Sequence, residues 1–177
     1  MQARDARFAN RRSALLAVSV TIVVVAALVV WIAGRSSDDR DRVAEVAARG
    51  ERVMPFDLER TTHRFQPSAE GGLQTVVADD PDDSDQVDLI RGHLSDEAAR
   101  FRAGDFGDPA TIHGDDMPGL AELTQGAERI EVRYEDAPAG GRILYRTDDP
   151  VLVRAIHDWF EAQLTDHGPH AEMTPSS

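Results

Sequence analysis

Apolar residues follow three patterns along this chain. From Ala14 to Ala33 they are continuous: "ALLAVSVTIVVVAALVVWIA" runs 20 residues without a charge, the length a helix needs to cross the hydrocarbon core of a bilayer. Further on, Val87, Ile90, Leu94 and Ala98 recur at spacings of three and four, as do Val153, Ile156, Phe160 and Leu164. Each set predicts an amphipathic helix with one face to bury. Ahead of each predicted helix, short apolar segments flank a Gly-Gly pair, the pattern of a strand hairpin. Residues 38–53, "DDRDRVAEVAARGERV", have few and small apolar positions, which predicts a weakly packing helical stalk interrupted by Gly50.

The hairpin segments repeat. "RTTHRFQPSAEGGLQTVVADDP" (residues 60–81) aligns without gaps on "RIEVRYEDAPAGGRILYRTDDP" (residues 129–150), with seven of 22 positions identical. The identities are two arginines, the Gly-Gly pair and Asp-Asp-Pro, which supplies a helix start through an aspartate cap and a proline in the first turn. Matching the apolar stripes sets His93 over Trp159, His157 over Arg91 and Ile90 over Ile156. The pattern predicts an α+β fold: a duplicated ββα–ββα unit forming a four-stranded antiparallel sheet with both helices on one face, plus one N-terminal transmembrane helix. The connection over residues 102–128 is rich in Gly, Asp and Pro and holds one short helical turn at Leu120–Leu123; a link this long inside a small domain is often functional.

Charge sets the orientation. Arg4, Arg7, Arg11 and Arg12 precede the apolar span against Asp5 alone, so the positive-inside bias puts residues 1–13 in the cytoplasm. The span is longer than the apolar core of a cleavable signal, and "WIAGRSS" is a poor cleavage site, so a retained anchor is expected over a cleaved one. The expected organisation is a cytoplasmic N-terminus (1–13), a transmembrane helix (14–33), a stalk (34–53), an extracytoplasmic domain (54–167) and a disordered tail (168–177). The protein is therefore expected at the cell membrane, single-pass, with the bilayer as its first partner. Residues 36–177 hold 14 arginines against 31 acidic residues, a formal charge of −17. Such a surface excludes nucleic acid as a partner and draws cations or basic proteins.

The chain has no cysteine and no lysine. Thiolate chemistry, disulfides, lipoprotein anchoring, Schiff-base catalysis and a phosphate-loop lysine are all excluded. Ser68, Ser84 and Ser95 sit in a predicted turn, an acidic helix start and an exposed helix face, none of them a nucleophile elbow. "DDPDDSDQVD" (residues 79–88) is rich in oxygen ligands but lacks the glycine and the closing glutamate of a helix–loop–helix calcium site.

Histidine is the remaining chemistry. His63 takes the place of Val132 in the repeat, on the strand face it shares with Phe65, so it is a polar ring in an apolar position and needs a partner. His93 and His157 flank their helical stripes. His167, His170 and Met173 recur at intervals of three, but Gly168-Pro169 breaks any helix that would gather them. In "TIHGDDMPGL" (residues 111–120), Asp115 or Asp116 can cap the following helix and Pro118 suits its first turn; His113 and Met117 are left over, four residues apart. Imidazole with thioether suits copper, and imidazoles alone suit copper or zinc. The candidate metal set is His63, His93, His113 and Met117, with Cu or Zn as the ion.

The segments "MPFDLERTTHRF", "LIRGHLSDEAARFRAGDFGDPATIHGDDMPGL" and "AIHDWFEAQLTDHG" together resemble a family of small exported bacterial proteins commonly labelled aspartate carbamoyltransferase. The resemblance spans about residues 43–171. The Ser-Thr-Arg-Thr phosphate loop and the His-Pro-x-Gln segment of that enzyme do not occur in this sequence, and the chain is shorter than its two α/β domains. The resemblance therefore supports the domain boundaries more than an activity. The expected function is a membrane-anchored extracytoplasmic binding or accessory module, with a transition metal as one ligand. The alternatives are an enzyme (the labelled transferase or an unrecognised hydrolase) and a module that binds another envelope protein.

Overall fold

The computed structural model of the chain describes residue 38 and residues 40–174. The expected cytoplasmic segment and transmembrane span lie outside them, and among the described residues no helix is long and apolar enough to cross a membrane. Helix α1 (residues 40–50) leads into a compact unit that begins at Arg42. Strands β1 (Thr61–Ser68) and β2 (Gly71–Ala78) precede α2 (Ser84–Arg102); two short helices, α3 (Gly107–His113) and α4 (Leu120–Gly126), follow. Then come β3 (Glu131–Ala137), β4 (Gly140–Arg146), α5 (Pro150–His167) and β5 (Ala171–Met173). The class is α+β, with one open sheet in the order β3-β4-β2-β1-β5.

The pairing follows a local two-fold relation between the halves. In one hairpin His63 faces Val76, and in the other their counterparts Val132 and Tyr145 face each other. The hairpins meet through antiparallel β2 and β4, where Gln74 sits opposite Ile143, its own counterpart in the repeat. The helices are exchanged: α2 packs mainly on β3 and β4, and α5 on β1 and β2. Arg91 of α2 donates to the carbonyls of Ala137 and Gly140 at 2.9 and 3.1 Å. His157 of α5 donates through Nε2 to those of Ser68 and Gly71 at 3.0 and 2.9 Å. These are corresponding donors on corresponding carbonyls.

The repeated Gly-Gly pairs have the same explanation. A Cβ on Gly71 would lie 2.2 Å from the Tyr145 carbonyl oxygen, and one on Gly140 would lie 2.1 Å from that of Val76. The second glycine of each pair makes room for the exchanged helix, Gly72 under Phe160 and Gly141 under Leu94. The repeated arginines also match: Arg60 pairs with Asp83 and Arg129 with Asp149, each the N-cap of the following helix.

Four expectations need correction. The sheet has five strands and is mixed, because β5 pairs parallel with β1 through Ala171, Glu172 and Met173. That strand comes from the segment expected to be a disordered tail; a 3-10 turn at Gly168–His170 redirects the chain there, and the Thr174 amide donates to the Phe65 carbonyl at 2.8 Å. The stalk is not loosely attached, since Val46 is buried and Arg42 reaches Asp166. Finally, Asp-Asp-Pro starts a helix only in the second half: Asp149 caps α5 with Pro150 in its first turn. In the first half those residues form a turn, and α2 begins three residues later under Asp83.

Candidate functional site

The apolar stripe of α5 does not stay apolar. Leu152, Ile156 and Trp159 are followed on the same face by Gln163 and Asp166, both buried. On α2 the corresponding face carries Gln86, Ile90, Leu94 and Glu97, again with buried polar residues. Polar groups at stripe positions are held inside by the packing of their helix, so they need partners. Glu97 and Gln163 meet residues of β1 and α3 around one cavity, lined by His63, His93, Glu97, His113, Gln163 and His167, with Met54, Phe56 and Trp159 among its apolar walls. About 20 Å³ of it is open to the centre of a water-sized guest, room for one such guest, which requires roughly 10–15 Å³.

His113 closes α3, and its Nδ1–H donates to Asp166 at 2.9 Å, both side chains being buried. Arg42 holds the other side of the pair, its Nη2 donating to the same carboxylate at 2.9 Å. Burial alone would raise the Asp166 pKa; the hydrogen bonds from His113 and Arg42 outweigh it and hold the group below the ordinary carboxylate value. With Nδ1 engaged, His113 is left with Nε2.

His63 has its Nδ1 buried with no hydrogen-bond partner. Burial, then the neighbouring His113, His170 and His93, push the His63 pKa down to about 4. Burial followed by His63 and His113 drives His167 well below its ordinary value. The His63 and His167 rings are therefore neutral at pH 7.

The rings are in contact. His63 and His167 stack at 4.4 Å between centroids, with planes 8° apart; His113 meets His167 edge-on at 5.1 Å and 79°. His93 stands edge-on to Phe56, its Nε2 3.6 Å from the Glu97 carboxylate. Among the described residues, the buried side-chain atoms without a hydrogen-bond partner are His63 Nδ1, His93 Nε2, Trp159 Nε1 and Gln163 Nε2. All four residues line this cavity. One water would suit the set, accepting from Trp159 and Gln163 and donating to the two imidazoles.

Of the four residues expected to share a metal site, His63, His93 and His113 line the cavity. Met117 does not: it is buried in the hydrophobic core behind α3 and α4. The aspartates beside it do not cap α4 either, whose N-cap is Gly119 in the left-handed conformation. His167, Asp166 and Arg42 complete the cluster; the sequence reading weighs His167 only with His170 and Met173 and sets it aside, and it misses Asp166 and Arg42. Asp166 was detectable as a charge on the continuing α5 stripe. His167 stood next to it, and Arg42 carried no signal. Among the described residues, no group of three or more His, Cys, Asp or Glu is arranged to hold a metal ion. Imidazole lone pairs lie in the ring plane, and the parallel planes of His63 and His167 do not meet.

No family model, no curated protein and no solved structure matches the chain.

Proposed function

We propose that the protein is a membrane-anchored, extracytoplasmic binding or accessory module whose ligand is a transition-metal ion, copper or zinc, taken by the histidine cluster. The supporting observation is the way two rings are prepared. His113 has Nδ1 engaged by the Asp166 carboxylate, the way a carboxylate orients a metal-ligating histidine and makes it more basic, and His63 has a buried, unpartnered Nδ1 and lines the same cavity. The anchor at residues 14–33 and the orientation rest on hydropathy and the arginine asymmetry. The repeat is read as an internal duplication of a ββα unit, supported by matched registers and exchanged helices.

Purified full-length protein, titrated with copper and zinc, should bind one equivalent, and His63→Ala with His113→Ala should remove it. Unchanged binding in that double variant would overturn the site. A reporter fused after Ser177 should be active only if export-dependent. Incubation with carbamoyl phosphate and aspartate should yield no carbamoyl-aspartate above background; turnover lost on unfolding would restore the transferase reading.

A further inference from the structure

The helices cover one face of the sheet and leave the other open. Phe65, Ile143 and Tyr145 are buried on the helix side, where Phe65 and Tyr145 meet Phe160 of α5; the residues that alternate with them point away. Strand register sets these in rows across β1, β2, β4 and β3. One row is Gln66, Leu73, Leu144 and Arg133, and the next is Arg64, Thr75, Arg142 and Glu135. Leu73 and Leu144 are half-buried at the centre, and the arginines around them are exposed. Of the two arginine positions that the repeat preserves, one serves the helix caps through Arg60 and Arg129. The other, Arg64 and Arg133, lies on this face.

The face is neutral in an acidic protein. Arg64 pairs with Glu172 and Arg142 with Glu135; towards the rim Arg133 pairs with Glu131 and Arg146 with Glu70. Charges of both signs cancel, so the whole −17 of residues 36–177 lies elsewhere, where it repels a second copy of the chain. Each arginine already faces a carboxylate, so an anionic lipid or acidic peptide gains little here. The face suits a partner with an apolar centre and charges of both signs around it, and another copy of the same face is such a partner.

The register also makes the face complementary to itself. A two-fold axis parallel to the strands, between β2 and β4, lays each row over the same row of a second copy in reverse order. Leu73 then lies over the second copy's Leu144, and Arg64 over its Glu135, each contact occurring twice. Stacked sheets sit about 10 Å apart and cross at about 30°, which displaces the outer strands by only about 4 Å, within the reach of an arginine. Four strands about 4.8 Å apart and about seven residues long cover roughly 20 by 23 Å. Two such faces bury on the order of 1,000 Å², the low end for a specific interface.

We propose that the open sheet face is a homodimer interface, two copies stacking sheet on sheet with Leu73 and Leu144 at the centre and Arg64–Glu135 pairs across it. The helices then lie outside and the histidine cavity stays clear of the contact, so the inference does not depend on the metal reading.

Sedimentation equilibrium of the full-length chain, in density-matched detergent with micelles in excess over chains, tests it. The 19.4 kDa chain should form a reversible dimer with a Kd of roughly 1–100 μM, as befits a small interface. Leu73→Arg should weaken it by about 30-fold or more, whereas Val151→Arg, at an exposed position on α5, should leave it unchanged. Arg64→Glu and Glu135→Arg should each weaken it by about tenfold, since each strikes both symmetric contacts, and the double variant should recover to within about threefold. Near-UV circular dichroism establishes that each variant is folded. A chain still monomeric at about 200 μM, or a dimer that Leu73→Arg leaves intact, would overturn the interface. Two weakening reversals without recovery in the double variant would overturn the two-fold stacking.

Discussion

The two halves share a backbone plan and differ in what they bury. At corresponding positions the first half buries Thr61, His63, Gln74 and Gln86, and the second buries Ile130, Val132, Ile143 and Leu152. The polar interior of the first half is organised. Gln86 donates to the Asp57 carbonyl at 2.7 Å and to Thr61 at 2.9 Å, and Gln74 accepts from Tyr145 at 2.9 Å. The apolar set in the second half needs no such network. What both halves keep is what makes the fold: glycines where strands and exchanged helices approach closely, an arginine on each helix cap, and a donor over each hairpin. Part of what they do not share lies at the cavity, where His63, Gln74 and His93 come from one half and Trp159, Gln163 and His167 from the other. One half lets a fold of this kind stand on apolar packing; the other departs from it, and the departures are the candidate chemistry.

The strongest break in this comparison should fall on both halves. Gly71→Ala and Gly140→Ala each drive a Cβ onto a backbone oxygen of the opposing central strand. Each should cost more than about 3 kcal/mol, beyond ordinary overpacking, because the obstacle is backbone. Gly72→Ala meets the Phe160 ring first and the Gln66 carbonyl oxygen at 3.0 Å, Gly141→Ala meets the Tyr134 and Leu94 side chains, and each should cost about 1–3 kcal/mol. Urea unfolding of the four variants checks the ranking; Gly71 also has a φ of +136°, which Gly140 lacks, so Gly71→Ala should cost at least as much as Gly140→Ala, and a clearly smaller cost would break the two-fold account.

Acid should separate the halves. The His63 pKa is lowered in the folded protein to about 4, so its unfolded form binds a proton first as pH falls. Its contribution is complete above about pH 6.5 and is lost between about pH 6.5 and pH 4, amounting to about 3 kcal/mol at 1.36 kcal/mol per unit. His167 shifts in the same direction. The lowered Asp166 pKa adds a further loss below the ordinary carboxylate value as the group is protonated. His63→Val, which copies the second half, should flatten the slope of stability between pH 6.5 and pH 4.5. A slope unchanged by that substitution would remove His63 as its source.

A smaller contrast lies over the hairpins. Arg91→Ala should cost about 2 kcal/mol and His157→Ala about 1 kcal/mol, because the first donor is always charged and the second is an imidazole. Removing the N-caps should have the least effect: Asp83→Ala and Asp149→Ala should each cost about 1 kcal/mol. Thermal melts of the single variants, with near-equal shifts for the two aspartates, would sharpen the correspondence of α2 and α5.

Local patterns in the chain carried much of this. The stripes through Ile90 and Ile156, the Gly-Gly hairpins, the order ββα followed by ββα and the interior place of His63 follow from periodicity and from one internal alignment. Each depends on residues that contact their own element or its copy. The pairing of Gln74 with Ile143 and the exchange of α2 and α5 depend on how two finished hairpins dock, for which no local pattern codes. The end of the chain shows the limit plainly. Gly168-Pro169 reads as a break, and it is one, but only tertiary structure supplies the open β1 edge that turns Ala171–Met173 into β5. The cluster has the same origin: its residues lie far apart in sequence, on α1, β1, α3 and α5, and burial of the α5 stripe brings Asp166 and His167 to them. The sequence by itself determined which side chains had to be hidden, because that is a matter of spacing along one element. Which hidden polar groups met was decided by the packing of elements against each other.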